Sequence, residues 1–208
     1  ENYIDHKFGC FHQHVFVEYM NQCYGRNENV SVMFISFLKD KNVLLNNLYV
    51  EDCLKVLIKW FEKNTKAKVF RSVEQELAIV FPNHSVMMDV FARVQETFYS
   101  KHFFLIKKQT KGMDNVEFPP SLFILFEESL MVATTEEMME VRRLFVAENI
   151  DATSSMVCHV DEEVLKKARY KSEIISEINA AMDEDRVEIF LQPIYSVEEK
   201  KFVSAEVL

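Results

Sequence analysis

Residues 68–81 read KVFRSVEQELAIVF, and this stretch decides how the rest of the chain is interpreted. Two largely apolar segments, 68–72 and 76–81, flank Val73, Glu74 and Gln75. Short apolar segments bounded by polar residues are typical of strands, and a connection of three residues is typical of a hairpin. The stretch therefore predicts two antiparallel strands joined by a tight turn.

Segments on both sides of the hairpin alternate between helical and strand patterns. Residues 30–37 (VSVMFISF) predict a buried strand, and shorter strands are predicted at 103–106, 122–126 and 156–159. Helices are predicted within 15–23, 51–63, 87–98 and 134–148, the last with a capping box if Thr134 is the N-cap, and 107–120 is predicted to be a polar loop. This order predicts an α/β (α+β) fold with a central, mostly antiparallel sheet and helices on both faces.

The last 48 residues have a different organisation, with a helix predicted from 161 to about 184 and strands at 187–195 and 202–208. We therefore expect a first domain at 1–160, a connector helix at 161–185 and the first strands of a truncated domain at 186–208. Because the chain begins at Glu1 and ends within an apolar run, we expect it to be part of a longer protein.

Composition excludes several classes of protein. The chain has 24 Lys and Arg against 33 Asp and Glu, a net charge of -9 that would repel a nucleic-acid backbone. No apolar run approaches the roughly 20 residues needed to cross a bilayer. The four cysteines form no Cys-x-x-Cys pair, which favours reduced thiols and a cytoplasmic location, although the longer protein could be anchored to a membrane upstream.

The hairpin resembles the signature region of the GGDEF domain of diguanylate cyclases, where an Arg and one further residue precede five signature letters and an apolar strand. Arg71 and Ser72 here precede Val73-Glu74-Gln75-Glu76-Leu77. Residues 5–13 (DHKFGCFHQ) are similar to the segment before the family's first helix, with Asp5 and Gly9 retained. The resemblance implies a nucleotidyl-cyclase-like fold and a family that makes cyclic di-GMP from two GTP.

Residues 188–195 (EIFLQPIY) and 202–208 (FVSAEVL) resemble the start of the EAL domain, a cyclic di-GMP phosphodiesterase. In the full-length parent, the resemblance implies that Glu206 is a metal ligand, that Gln192 contacts the dinucleotide, and that Mg or Mn is the cofactor. Every other ligand would lie beyond Leu208. We therefore expect the present chain to have neither a cofactor nor phosphodiesterase activity.

The resemblance also implies that the cyclase site is lost. Ser36 stands where the family has a metal-binding Asp, and a neutral hydroxyl cannot replace a carboxylate on Mg²⁺. Val73 and Glu74 replace two glycines; a β-branched residue resists positive φ, and a carboxylate would repel a triphosphate. Gln75 replaces an acid, so only Glu76 keeps the charge of the signature.

Other candidate residues are ambiguous. His12 and Glu51 stand at the family's guanine-binding positions; Glu51 can accept hydrogen bonds from the base, or it can simply stabilise a helix N-terminus. The family's R-x-x-D inhibition motif aligns with residues 64–67 and is absent. His6, His12 and His14 are either a transition-metal cluster or solvated histidines.

Together these patterns predict a catalytically inactive GGDEF domain that serves as a regulatory or dimerisation module of a bacterial GGDEF-EAL signalling protein. The full-length form is expected to hydrolyse cyclic di-GMP, and the expected partners are GTP or cyclic di-GMP and a second copy of the chain, with no nucleic acid and no membrane. The alternative is a non-enzymatic receptor or scaffold for cyclic di-GMP or GTP in which both domains are degenerate. An active cyclase with an unusual site is a third hypothesis.

Overall fold

The computed structural model describes residues 3–38, 47–73, 75–100, 104–109 and 112–207, with the backbone alone at 47–48, 104–109 and 112–117. The chain divides into two compact units, one ending at Ala168 and one beginning at Arg169. Each unit has its own sheet structure and is described separately. None of the described helices is long and apolar enough to cross a membrane.

The elements follow one another in the order expected of a mixed α/β protein. In chain order they are β1 (Ile4–Asp5), β2 (Cys10–Phe11), α1 (Gln13–Gly25), β3 (Ser31–Phe37), α2 (Asn47–Asn64), β4 (Lys68–Arg71), β5 (Glu76–Phe81), α3 (His84–Val94), β6 (Phe104–Gln109), β7 (Gly112–Glu117), β8 (Ser121–Phe126), α4 (Thr135–Glu148), β9 (Met156–His159), α5 (Glu162–Asp183), β10 (Leu191–Ser196) and β11 (Lys201–Val207). A π-helical turn, Gln95–Tyr99, extends α3, and a 3₁₀ turn, Ser129–Met131, follows β8.

The central sheet has the strand order β1-β2-β4-β5-β3-β8-β9. The predicted hairpin is confirmed, since β4 and β5 pair antiparallel, and β3 lies between β5 and β8 with antiparallel pairing on both sides. Only the β2–β4 and β8–β9 pairs of this sheet are parallel. The predicted mostly antiparallel sheet is therefore confirmed. The pair β6–β7 forms a separate two-stranded sheet, as does β10–β11.

Helices cover both faces of the sheet because successive strand residues point to opposite sides. Val32 and Phe34 of β3 belong to a core with residues of α1 and α4, whereas Met33 and Ile35 belong to a core with residues of α2 and α3. All four of these side chains are completely buried. The continuous apolar run of β3 therefore reflects burial on both faces, as the sequence predicts.

Local signals fix two helix starts. The Asn83 side chain accepts a hydrogen bond from the Val86 N–H before α3. Thr134 is the N-cap of α4 and accepts from the Glu137 N–H, which confirms the predicted cap. The Glu137 carboxylate reaches back to the Ala133 N–H, one residue earlier than in a standard capping box.

Three predicted boundaries are wrong. The predicted loop at 107–120 contains the end of β6 and all of β7, which pair residue by residue despite their polar sequence; residues 110 and 111 lie outside the described residues. Helix α2 begins at Asn47 rather than near Glu51, because Tyr49 and Val50 extend its buried side towards the N-terminus. Strand β10 begins at Leu191 rather than at 187. Leu191 is the first residue of this strand that pairs with β11, opposite Val207.

Candidate functional site

The turn between β4 and β5 carries the signature letters. The Ser72 N–H donates to the Glu76 carbonyl oxygen over 3.0 Å, and the Glu76 N–H donates to the Val73 carbonyl oxygen over 2.9 Å. Within the described parts of the chain, positive φ occurs at Gly9, Asn27, Asp185 and Lys200, so neither Val73 nor Gln75 adopts it. Glu74 lies outside the described residues. Leu77, the last letter, is fully buried in β5.

Ser36 and Glu76 are brought together by strand pairing. They are directly opposite each other in the β3–β5 register, and the Ser36 hydroxyl donates to Oε2 of Glu76. Glu76 is only 2% exposed. A carboxylate so deeply buried needs further compensation for its charge.

That compensation comes from Arg142 of α4, a residue that sequence reasoning missed. Arg142 is 8% exposed, and its Nε lies 2.9 Å from Oε1 of Glu76. The two atoms are close enough for an ion pair, although they are not aligned for a hydrogen bond. Arg142 lies on the same side of α4 as the buried Thr135 and Met138. An arginine on the apolar side of a predicted helix is the sequence pattern from which its burial could have been predicted.

The electrostatics of Glu76 reflect two opposing influences. Burial raises the pKa of the Glu76 carboxyl, while the Arg142 guanidinium and the hydrogen bond from Ser36 act in the opposite direction. The guanidinium stays charged at any ordinary pH. Each charge of this buried pair is therefore stabilised by the other, and removing one partner would leave the other charge buried without compensation.

The residues around Glu76 do not fit a divalent metal. Mg²⁺ demands near-ideal octahedral oxygen coordination and usually one or two carboxylates. Among the described residues at this place, Glu76 supplies one carboxylate, both of its oxygens face internal partners, and the adjacent Ser36 and Ser72 supply only neutral hydroxyls. No cluster of three or more His, Cys, Asp or Glu suited to a metal occurs among the described residues. The guanidinium would also repel a second cation.

Glu51, the second candidate acid, is also paired within the chain. Its carboxylate lies 2.5 Å from the Lys7 ammonium. Because α2 begins four residues earlier than predicted, Glu51 lies in the second turn, where the helix dipole has little effect. The interpretation of Glu51 as a residue that stabilises the helix N-terminus is therefore wrong.

His12, the other candidate guanine-binding residue, has different neighbours from Glu51. It is the N-cap residue of α1, although its side chain makes no capping hydrogen bond, and its ring stacks on His14 with centroids 5.6 Å apart. His12 and His14 line a surface depression of about 600 Å³ together with Glu18. Within the described residues, the His12 ring packs on His14, whereas the Glu51 carboxylate binds Lys7.

The segment before α1 is held to the hairpin by Arg71. The Arg71 guanidinium lies 3.6 Å from the Asp5 carboxylate and 4.1 Å from the centre of the Phe8 ring. The ammonium groups of Lys7 and Lys55 lie 5.4 and 5.7 Å from the same ring. The retained Asp5 therefore anchors this loop to the strand that precedes the signature turn.

A groove of about 590 Å³ runs along the ends of α2, β4 and α3. Asn64 and Ala67, which the resemblance aligns with the ends of the R-x-x-D motif, line it together with Lys68 and Arg93. Arg93 reaches the Asn64 carbonyl oxygen over 3.4 Å, and the Lys68 ammonium lies 3.9 Å from the centre of the Tyr19 ring. Of the three cationic side chains that line the groove, Lys68 and Arg93 thus already have partners within the chain.

In the second unit, the EAL-like residues lie on one hairpin. Gln192 of β10 and Glu206 of β11 are directly opposite each other in an antiparallel register, so both side chains project from the same face. Leu191 and Val207 form the neighbouring pair and project from the other face, where both are exposed. Gln192 and Glu206 therefore share one face of the hairpin with Ile194 and Ser204, and Leu191 and Val207 lie on the other.

Comparison with models of protein families gives no match for this chain. Comparison with curated protein sequences gives none either.

Solved structures do match. The GGDEF domain of FimX from Pseudomonas aeruginosa superposes with a TM-score of 0.55 at 10% identity, covering 77% of this chain and 100% of that one. The GGDEF domain of DgcB from Caulobacter crescentus, in complex with c-di-GMP, gives 0.56 at 10% identity, covering 76% and 93%. The GGDEF domain of PA1120 from Pseudomonas aeruginosa gives 0.52 at 12% identity, covering 80% and 99%. The chain therefore has the fold of GGDEF domains over about three quarters of its length.

Proposed function

We propose that this chain carries a GGDEF-like domain that does not synthesise cyclic di-GMP and acts as a regulatory or dimerisation module in cyclic di-GMP signalling. The fold supports the signalling context. The observation that carries the loss of catalysis is the buried Glu76 carboxylate, which already faces Ser36 and Arg142.

The chemistry of the reaction explains why this observation matters. In the synthesis of cyclic di-GMP, the 3′-hydroxyl of one GTP attacks the α-phosphate of another, and catalysis is mostly positioning and charge neutralisation by a divalent metal. Glu76 has no free oxygen to offer such a metal, and Ser36 supplies no charge. Val73 adds a branched side chain where the backbone would have to approach phosphates closely.

An activity assay tests the proposal directly. The protein is incubated with GTP and either Mg²⁺ or Mn²⁺, and cyclic di-GMP is measured by liquid chromatography and mass spectrometry beside an active diguanylate cyclase. We expect no product above a blank without protein. Product that grows with time and protein concentration would contradict the proposal.

Calorimetry with GTP and with cyclic di-GMP separates this module from a receptor. We expect no heat of GTP binding, because Glu51 is already paired with Lys7. A binding heat that is lost in Glu51→Ala and retained in the control Glu62→Ala, an exposed residue of the same helix, would favour the receptor.

Analytical ultracentrifugation tests the dimerisation part of the role. We expect the sedimentation coefficient to rise with protein concentration as dimers form. A monomer at every concentration would remove dimerisation from the proposal and leave regulation within the parent protein.

We also propose that β10 and β11 begin an EAL domain of a longer protein, in which Glu206 binds Mg or Mn and Gln192 contacts the dinucleotide. Their opposite positions on one face support a common site. In that parent, Glu206→Gln should abolish hydrolysis of cyclic di-GMP, whereas Glu199→Gln in the β10–β11 turn should leave it unchanged. Full hydrolysis by the Glu206→Gln protein would contradict the assignment.

A further inference from the structure

The ion pair beside the signature turn is an unusual feature for a domain of this size. Both partners are almost completely buried, at 2% for Glu76 and 8% for Arg142, and they come from different elements, β5 and α4. Buried charges of this kind are costly to desolvate and are rare unless paired. Some specific requirement must therefore hold an arginine at this position of α4.

The sequence at position 36 supplies that requirement. The resemblance implies acids at positions 36, 75 and 76, and a divalent cation bound by the acid at position 36 that offsets part of their charge. Among the described residues of this chain, the buried charged side chains are one carboxylate, Glu76, and one guanidinium, Arg142, so one negative charge balances one positive charge. With a neutral Ser36 and a neutral Gln75 where the resemblance implies acids, the single positive charge of Arg142 is enough to balance Glu76.

We propose that Arg142 is a built-in cation that replaces a divalent metal beside Glu76 and makes this domain independent of metal. The inference rests on the proposed function for the identity of the position, and on the Glu76–Arg142 contact for its chemistry. The Ser36 hydroxyl completes the replacement, because it donates to the oxygen of Glu76 that does not face Arg142. A hydroxyl donor and a guanidinium together provide the contacts that metal coordination would otherwise provide.

A double-mutant cycle without metal or nucleotide tests the contact. Arg142→Met and Glu76→Gln each leave a buried charge without its partner, so each should raise the unfolding equilibrium constant by about 100-fold or more. The double variant retains neither charge. Its unfolding equilibrium constant should therefore rise far less than the product of the two single increases. Additive effects would overturn the inference and leave the proposed function intact.

A second pair of variants tests the replacement of metal. Thermal unfolding of the unmodified protein should be the same in Mn²⁺ and in EDTA. Ser36→Asp combined with Arg142→Met restores two carboxylates without an internal cation, and its melting temperature should rise by several degrees when millimolar Mn²⁺ replaces EDTA. The matched control, Ser36→Asn with Arg142→Met, has the same shape without the second charge and should respond much less.

The outcomes are distinct. A metal-dependent melting temperature in the unmodified protein would overturn the inference, as would a folded Ser36→Asp/Arg142→Met variant that ignores Mn²⁺. If that variant does not fold, the cycle alone decides. Synthesis of cyclic di-GMP by the unmodified protein, measured separately, would overturn the proposed function.

Discussion

At the scale of single residues, Ser36 shows how a small side chain can support a buried charge. Its hydroxyl donates to Oε2 of Glu76 from the neighbouring strand, and both residues are shielded from water. The resemblance to GGDEF domains was enough to assign Ser36 and Glu76 to one site, and the β3–β5 register places them opposite each other. The position of Arg142 on an apolar stripe of α4 indicates burial, but it does not reveal the partner of this arginine, because Glu76 is 66 residues away in the sequence.

Ser36→Ala should destabilise the protein by about 1–3 kcal/mol, because it leaves a buried carboxylate oxygen without its donor. The free energy of unfolding is measured by urea denaturation. The control is Ser154→Ala in an exposed loop, which should change that free energy by less than about 0.5 kcal/mol. Equal effects of the two substitutions would show that the Ser36 bond contributes nothing.

Thiol reactivity should follow burial. Cys10, Cys23 and Cys53 are buried and Cys158 is partly exposed, so iodoacetamide should modify Cys158 first, as followed by peptide mass spectrometry. Burial raises the pKa of Cys10 to about 11 from 9.0, so its contribution to stability is complete below pH 9 and is lost as pH rises through 11. Modification of Cys10 before Cys158 at neutral pH would contradict this order.

At the scale of elements, the β1–β2 connection depends on the backbone of Gly9. This residue has a φ of +82°, and its N–H donates to the Asp5 carbonyl oxygen over 2.7 Å. The turn brings Asp5 to Arg71 and so joins the start of the chain to the hairpin. The resemblance singled out both Asp5 and Gly9, but the two short strands on either side carry no pattern long enough to be predicted.

Gly9→Ala should cost about 1–2 kcal/mol of folding free energy, because an L-residue is strained at positive φ. Apart from the chain neighbours of Gly9, no atom of the described residues lies within 4 Å of the added Cβ, so steric contact makes no contribution. Gly25 in α1 is the matched control, since its Cβ also meets open space and its φ is not positive; Gly25→Ala should be neutral or stabilising. Equal denaturation midpoints for the two variants would exclude a role for the Gly9 conformation.

Element boundaries show where sequence patterns stop being informative. The strands β3, β5 and β8 are buried on both faces and were predicted almost to the residue. Strand β7 has the polar sequence GMDNVE and forms through backbone pairing with β6, which side-chain periodicity does not report. The ends of a strand could therefore be predicted where buried apolar side chains define the strand. They could not be predicted where the strand depends only on backbone hydrogen bonds.

At the scale of the whole molecule, the chain has two units of different character. The first has a core on each face of its sheet, whereas β10 and β11 leave large apolar side chains such as Phe202 and Val207 exposed. Residues 184–190 between α5 and β10 form neither helix nor strand and are exposed throughout. The domain boundaries predicted from the sequence, at 160 and 185, stay predictions.

Limited trypsin digestion should cut after Arg186 before it cuts within α5. Arg186 lies in the exposed segment 184–190, outside the helices and strands, whereas Lys166 and Lys171 lie in a helix whose backbone must open before a protease can bind it. Peptide mass spectrometry over residues 162–207 measures the order of cleavage. Earlier cleavage after Lys166 or Lys171 would show that α5 is the less stable segment.

The guanidinium beside Glu76 also bears on how such a chain can diverge over time. Because Arg142 balances the Glu76 carboxylate, the exposed Val73 in the turn no longer has to preserve a ligand site. Its amino-acid identity can therefore change without loss of stability. Positions 76 and 142 cannot change independently, because replacing one residue leaves the buried charge of the other without a partner. Among descendants of this sequence, the acid and the arginine should be inherited or lost together while the signature letters beside them vary.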